Sequence, residues 1–162
     1  MNDISELPNV GVYCGSFRPL HIGHLDVIKQ AAMIFPTVIV AQGINSSKIK
    51  ATVPADRYAL PIQFLTTFRH DADIRVDTYD TLLVDYIKKL EEEYNVTLIR
   101  GLRRGADLEY EQNLVAFLRG MHPQIKVTHF MARPELAHIS SSALRDIRHS
   151  SESEYRKYVV AD

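Results

Sequence analysis

The feature that most restricts the fold of this chain is a regular exchange of short β-branched runs with longer amphipathic stretches. Residues 9–14, 37–42, 73–78, 96–99 and 125–130 read as five strands. Residues 23–34, 55–68, 81–94, 108–121, 141–148 and 152–158 carry helical spacing, with Pro61 set to delay or kink the second helix. Strands joined through helices need right-handed crossovers, so the pattern predicts an α/β, Rossmann-like, doubly wound five-stranded parallel sheet with helices on both faces. In the common order 3-2-1-4-5, the first and fourth strands are neighbours and ligands bind beyond their carboxyl ends. Two unusual segments then share one crevice: Gly15-Ser16-Phe17-Arg18-Pro19-Leu20-His21-Ile22-Gly23-His24 and Arg100-Gly101-Leu102-Arg103-Arg104-Gly105-Ala106-Asp107.

No repeat, low-complexity tract or linker divides the 162 residues, so one domain over 1–162 is expected. Nineteen Lys and Arg against 20 Asp and Glu leave a net charge of -1, which gives no global attraction to nucleic acid or membranes; an anion site must be local. Cys14 is the sole cysteine, which excludes an internal disulfide and a multi-cysteine zinc site. With an acidic start and no long apolar run, the sequence predicts a soluble, cytoplasmic protein.

The first segment places His21 and His24 three residues apart at a helix start, on one face beside the positive dipole end and unsatisfied N–H groups, where polyphosphate sits well. Gly23 between them removes a side chain where a ligand would approach the backbone. Zinc fits the pair poorly, because a third protein ligand is absent and the helical zinc signature spaces its histidines by four; no residue is assigned as a metal ligand. Neither the P-loop nor the dinucleotide glycine fingerprint follows the first strand.

Arg100, Arg103 and Arg104 crowd a short loop suited to bidentate phosphate binding, and Arg100 ends its strand pointing into the crevice. Lys48, in the loop after the second strand, is a further candidate cation, with Lys50 competing for the role. Ser140, Ser141 and Ser142 exceed what a helix cap needs and could also hold an anion. Glu109 and Glu111 face different directions on a helix and make no acid/base dyad; Glu111 reads as a contact to ribose or base, or a salt bridge to the arginines. Cys14 reads as a small buried hydrophobe. The run 88–93 reads as a solvated helix face.

Taken together, these residues resemble the nucleotidyltransferases that carry His-x-Gly-His and, more closely, the phosphopantetheine adenylyltransferases. The resemblance spans nearly the whole chain. Its most specific block is Ile99-Arg100-Gly101-Leu102-Arg103 followed by Asp107-Leu108-Glu109-Tyr110-Glu111, with Ile139-Ser140-Ser141-Ser142 as a third block. It implies transfer of the adenylyl group of ATP to 4′-phosphopantetheine, forming dephospho-coenzyme A and pyrophosphate in coenzyme A biosynthesis, with Mg2+, in a homohexamer. By that resemblance His24, Lys48 and Arg103 are catalytic. Ser16, Phe17, His21, His24, Gly101, Leu102, Arg103, Glu111, Ile139 and the serines 140–142, within a stretch 136–142, surround ATP. Ser16, Lys48, Leu83 and Arg100 bind phosphopantetheine.

The chemistry of these residues agrees. A phosphate monoester is largely ionised at neutral pH, so its attack on an α-phosphorus needs positioning and charge stabilisation rather than a strong base. His21, His24, Lys48, Arg100 and Arg103 read together as the transition-state cations. The chain departs from the family pattern at Arg18, where Asp is common, at Cys14, at His21 and at Leu136-Ala137-His138. His21 makes the first motif look like that of the nicotinate or nicotinamide mononucleotide enzymes. An adenylyl- or cytidylyltransferase acting on such a phosphorylated acceptor is therefore the alternative, and a nucleotide-binding regulator without turnover is the reading from another class.

Overall fold

The computed structural model describes residues 6–44, 60 and 72–160. Five strands, β1 (Asn9–Gly15), β2 (Thr37–Gly43), β3 (Asp73–Tyr79), β4 (Asn95–Leu102) and β5 (Val127–Met131), form one sheet. Every pairing is parallel, as the alternation predicts, and the order β3-β2-β1-β4-β5 is the common one. The helices are α1 (Ile22–Ala32), α2 (Leu83–Leu90), α3 (Gly105–Met121), α4 (Ser141–Ser150) and α5 (Glu152–Tyr155). The expected helix over 55–68 lies outside the described residues.

The period-two pleat sorts side chains to the two faces. Val10, Val12 and Cys14 of β1, Ile39 and Ala41 of β2, and Val96 and Leu98 of β4 pack under α2 and α3 with Val84, Ile87 and Leu118. Tyr13, Val38, Val40, Ile99 and Phe130 point the other way and meet Val27, Ile28 and Ala31 of α1. On that face Gly11 leaves room for its neighbours: a Cβ there would lie 2.6 Å from Ile99 Cδ1 and 2.7 Å from the Phe35 ring, so those side chains would have to shift. A third cluster, Ile139, Leu144 and Tyr155, ties α4 and α5 to Ile22. The chain end completes that tie: the Ile22 N–H donates to the Tyr158 carbonyl (2.9 Å) and the Val160 N–H to that of Leu20 (3.1 Å).

Several boundaries differ from expectation for local reasons. Helix α3 begins at Gly105 rather than 108, because the Asp107 carboxylate accepts the N–H groups of Arg103 (2.9 Å) and Arg104 (3.2 Å) that an uncapped helix start would leave unpaired. Helix α2 occupies Leu83–Leu90 rather than 81–94; Glu91, Glu92 and Glu93 would place three negative charges at its negative end, and the backbone turns instead. Strand β5 begins at Val127: Ile125 is buried, but its N–H donates to the His122 carbonyl in a turn. Helix α5 stops at Tyr155.

Candidate active site

Beyond the carboxyl ends of β1 and β4 lies a cavity of about 520 Å3 on which the amino ends of α1, α3 and α4 converge. Three helix dipoles thus present their positive ends to one space. Arg100, Arg103 and Arg145 line it, against Asp107 and Glu111 as its acidic members.

Strand β1 leads into the site through Ser16 and Phe17, the latter in the left-handed region at φ 47°, a conformation that costs a non-glycine residue about 1–3 kcal/mol. The buried Gln42 at the end of β2 donates from Nε2 to the Ser16 carbonyl at 2.9 Å and so fixes this turn to the sheet. The chain then delivers His21 as the residue before α1 and His24 in its first turn. Their rings stack, with centroids 3.6 Å apart and 21° between planes. The His21 N–H donates to His24 Nδ1 at 3.1 Å, which leaves the proton of a neutral His24 on Nε2. Gly23 is what lets the pair close up: a Cβ there would sit 3.0 Å from Cε1 and Nδ1 of His21.

Burial sets the charge state of this pair. It pulls His21 down to about 4, with help from the Arg103 charge. His24 is held well below the ordinary histidine range by burial, then by His21 and Arg103. Both are therefore neutral near pH 7, which corrects their reading as cations: desolvation beside a fixed guanidinium makes a second positive charge too costly. His21 Nδ1 is buried without a hydrogen-bond partner among the described residues.

From β4, Arg100 enters the cavity and is gripped by Glu111 of α3, Nε to Oε2 at 2.9 Å and Nη2 to Oε1 at 2.7 Å. The Glu111 side chain is 6% exposed and that of Arg100 21%. Burial would raise the Glu111 carboxyl, but the hydrogen bonds and charge of Arg100, with His129 behind, hold it below the usual range. The salt bridge to an arginine expected of Glu111 is thus formed, and the residue still lines the cavity. Arg103 is steered by the Ile139 carbonyl (3.3 Å) and Asp107 (3.5 Å). At α4, Ser140 Oγ caps the helix by accepting the Ala143 N–H (3.2 Å) and Ser141 Oγ donates to the Pro19 carbonyl (3.1 Å).

Of the residues expected here, Ser16, His21, His24, Arg100, Gly101, Leu102, Arg103, Glu111, Ser140, Ser141 and Ser142 line the cavity, with Leu136. Phe17, Ile139 and Leu83 do not. Phe17 is buried with its ring edge-on to His24 at 5.0 Å, so it backs the histidine. Ile139 is buried against Leu144 and Tyr155 and offers only its carbonyl, and Leu83 packs on the core under α2. Lys48 and Lys50 lie outside the described residues. Arg18 contributes its carbonyl, which accepts from Arg145 Nη1 at 2.6 Å, and its side chain is not part of the lining. Cys14 is buried as expected; burial, opposed by Arg100, pushes its thiol up to about 12.

Sequence reasoning missed Arg145, Tyr13, Val27 and Tyr110. The signal for Arg145 was present, since it follows Ser141 by four residues on α4 and so shares its face. No group of three or more His, Cys, Asp or Glu suited to a metal occurs among the described residues, and Asp107 and Glu111 are both committed to arginines or N–H groups.

The cytidylyltransferase-like family model matches residues 12–147. A phosphopantetheine adenylyltransferase of Rhodopirellula baltica is 34% identical over 146 residues, covering 90% of this chain and 78% of its own. One from Leptospira biflexa is 33% identical, covering 87% and 84%. Among solved structures, nicotinic acid mononucleotide adenylyltransferase of Plasmodium falciparum, complexed with NaAD, aligns with a TM-score of 0.64 at 15% identity, over 94% of this chain and 91% of that one, a likeness of fold.

Proposed function

The chain belongs to the phosphopantetheine adenylyltransferase family of cytidylyltransferase-like nucleotidyltransferases, and from that premise we propose how its site works. The protein transfers the adenylyl group of ATP to 4′-phosphopantetheine. An oxygen of the acceptor phosphate forms a bond to the α-phosphorus as the bond to pyrophosphate breaks, which yields dephospho-coenzyme A and pyrophosphate without a covalent enzyme intermediate.

The observation that carries this reading is the joining of two kinds of group in one cavity: three helix amino ends with three arginines, and a stacked pair of neutral imidazoles. The helix ends and arginines suit a polyphosphate. His24 Nε2–H offers a neutral, directional donor to an α-phosphate oxygen, where charge builds as the new bond forms. Arg100 binds the acceptor phosphate; Arg103, Arg145 and the α4 serines hold the nucleotide phosphates. Lys48 keeps its proposed catalytic role.

Magnesium would arrive with ATP and, when bound, would supply neutralisation of the charge that develops on pyrophosphate. No side chain of this chain is proposed as its ligand, because the two cavity acids are already committed. No helix among the described residues is long and apolar enough to cross a membrane, and we place the reaction in the cytoplasm. We also propose a homo-oligomer, a hexamer by family likeness, in support of which α3 leaves Leu108, Tyr110, Phe117 and Met121 exposed.

The test is pyrophosphate release from MgATP with 4′-phosphopantetheine, nicotinamide mononucleotide or nicotinate mononucleotide supplied separately. Release with phosphopantetheine is the expected result. Release with a pyridine mononucleotide alone would favour the second reading, for which His21 in the first motif is the specific observation. Silence with all three despite ATP binding would refute both.

A further inference from the structure

Arg100 and His129 are register partners in the β4/β5 ladder, so their side chains leave the sheet side by side toward α3. The buried Glu111 reaches back between them. Its Oε1 accepts from Arg100 Nη2 at 2.7 Å, and its Oε2 accepts both Arg100 Nε at 2.9 Å and His129 Nε2 at 3.3 Å. An ionised carboxylate only accepts, so His129 Nε2 must carry a hydrogen in this arrangement, whatever the charge of the ring. His129 does not line the main cavity. It opens instead on a smaller one of about 220 Å3 behind α3, to which Glu111 is common. The charged groups facing it are Glu111 and Arg119 of α3 and Arg100 of β4.

We propose that His129 is a positioning residue for the acceptor phosphate: by donating to Glu111 from behind, it fixes the carboxylate that in turn aims the Arg100 guanidinium into the cavity. The assignment rests on the reading of Arg100 as the acceptor-phosphate site. Its physical logic is one of competition. A carboxylate gripping an arginine opposes the arrival of a phosphate on that arginine, since two anions then share one cation. A third group drawing on Glu111 offsets that opposition and keeps the carboxylate from following the guanidinium toward the ligand. Without His129, Oε2 loses a donor and the fork between Arg100 and Glu111 is free to pivot.

Two variants separate positioning from packing. His129→Leu keeps bulk and removes the donor, whereas His129→Gln restores an N–H at similar reach. Each is measured for kcat, for KM of acceptor and of ATP, for melting temperature, and for hydrogen exchange at the Arg100 Nε–H by NMR. In His129→Leu the acceptor KM should rise about tenfold, the scale of one hydrogen bond to a charged group. ATP KM and melting temperature should hold, and Arg100 Nε–H should exchange faster; His129→Gln should return all of these toward wild type. An unchanged acceptor KM or exchange rate in His129→Leu overturns the proposal. So does His129→Gln behaving like His129→Leu, or an ATP KM that rises with that of the acceptor. If the wild type uses another phosphorylated acceptor in place of phosphopantetheine, only the substrate reading fails, and the same comparison runs on that acceptor. If it turns over none, the Arg100 exchange rate decides the positioning by itself.

Discussion

Acid should loosen this fold earlier than its carboxylates alone would. His21 titrates at 6.5 when unfolded and at about 4 in the native protein, because burial and then Arg103 oppose its protonation; His24 shifts in the same direction. Well above pH 6.5 neither state of His21 carries the proton, and stability is independent of it. As the pH falls below 6.5, the unfolded chain takes up protons that the native one refuses, so stability falls, and the slope fades only as the native pKa is reached. Between about pH 7 and pH 5, His21 should remove about 2 kcal/mol, and about 3 kcal/mol once both states are protonated, with His24 adding to the loss. Glu111 and Asp107 have native values below their ordinary 4.5 and 3.8, so their contributions are lost only at lower pH. Urea unfolding at about pH 7, 6 and 5 reads the effect. A double variant, His21→Asn with His24→Asn, should lose most of this dependence, since neither side chain titrates. Parallel pH dependence in the two proteins would refute the assignment of a neutral buried pair.

Gly23→Ala should lower kcat at least about tenfold while leaving the melting temperature near wild type. Its Cβ would press to 3.0 Å on a His21 ring that is buried and stacked, yet alanine favours the helix by about 1 kcal/mol; wild-type kcat in a folded Gly23→Ala would show that the ring has room to move. Glu111→Ala should destabilise by about 3 kcal/mol, because it strands Arg100 in a largely buried position, and a change below about 1 kcal/mol in denaturant unfolding would show the pair to be idle. Cys14 should resist thiol reagents in the native protein at pH 8 and react on unfolding, given its burial and a pKa pushed up to about 12; prompt labelling of native protein would contradict both.

The sheet order was legible because alternation and handedness leave few topologies, and β-branched runs at 9–14 and 37–42 mark strands covered on both faces. Boundaries were less so, since they depend on single contacts. No period announces that Asp107 will cap two N–H groups and start α3 at Gly105, or that Ile125 will bury its side chain from a turn. At the site, His21, His24, Arg100, Arg103 and the serines were named by position after strands and before helices. Phe17 and Ile139 lie next to the cavity, but their side chains are buried outside its lining. The facing of a side chain in an irregular loop follows from tertiary packing, such as the edge contact of Phe17 on His24, and has no period to betray it.

Charge state was the least legible property, and it changes what the histidines can do. A sequence places His21 and His24 beside arginines and a helix amino end, which invites a count of cations. Packing reverses the count. With the imidazoles stacked at 3.6 Å near Arg103 and desolvated, a proton on either would bring another positive charge into a space already held positive by guanidinium groups and helix ends. The fixed charges therefore come from groups that do not titrate near neutrality, and the histidines are left as directional donors and acceptors. Attack by an ionised phosphate monoester asks for this division, because no proton has to leave the nucleophile and none has to reach the pyrophosphate for the bond to break. A site whose proton count stays constant through the reaction gains nothing from a histidine poised near pH 7, and the strong downward shift of His24 costs catalysis nothing for the same reason.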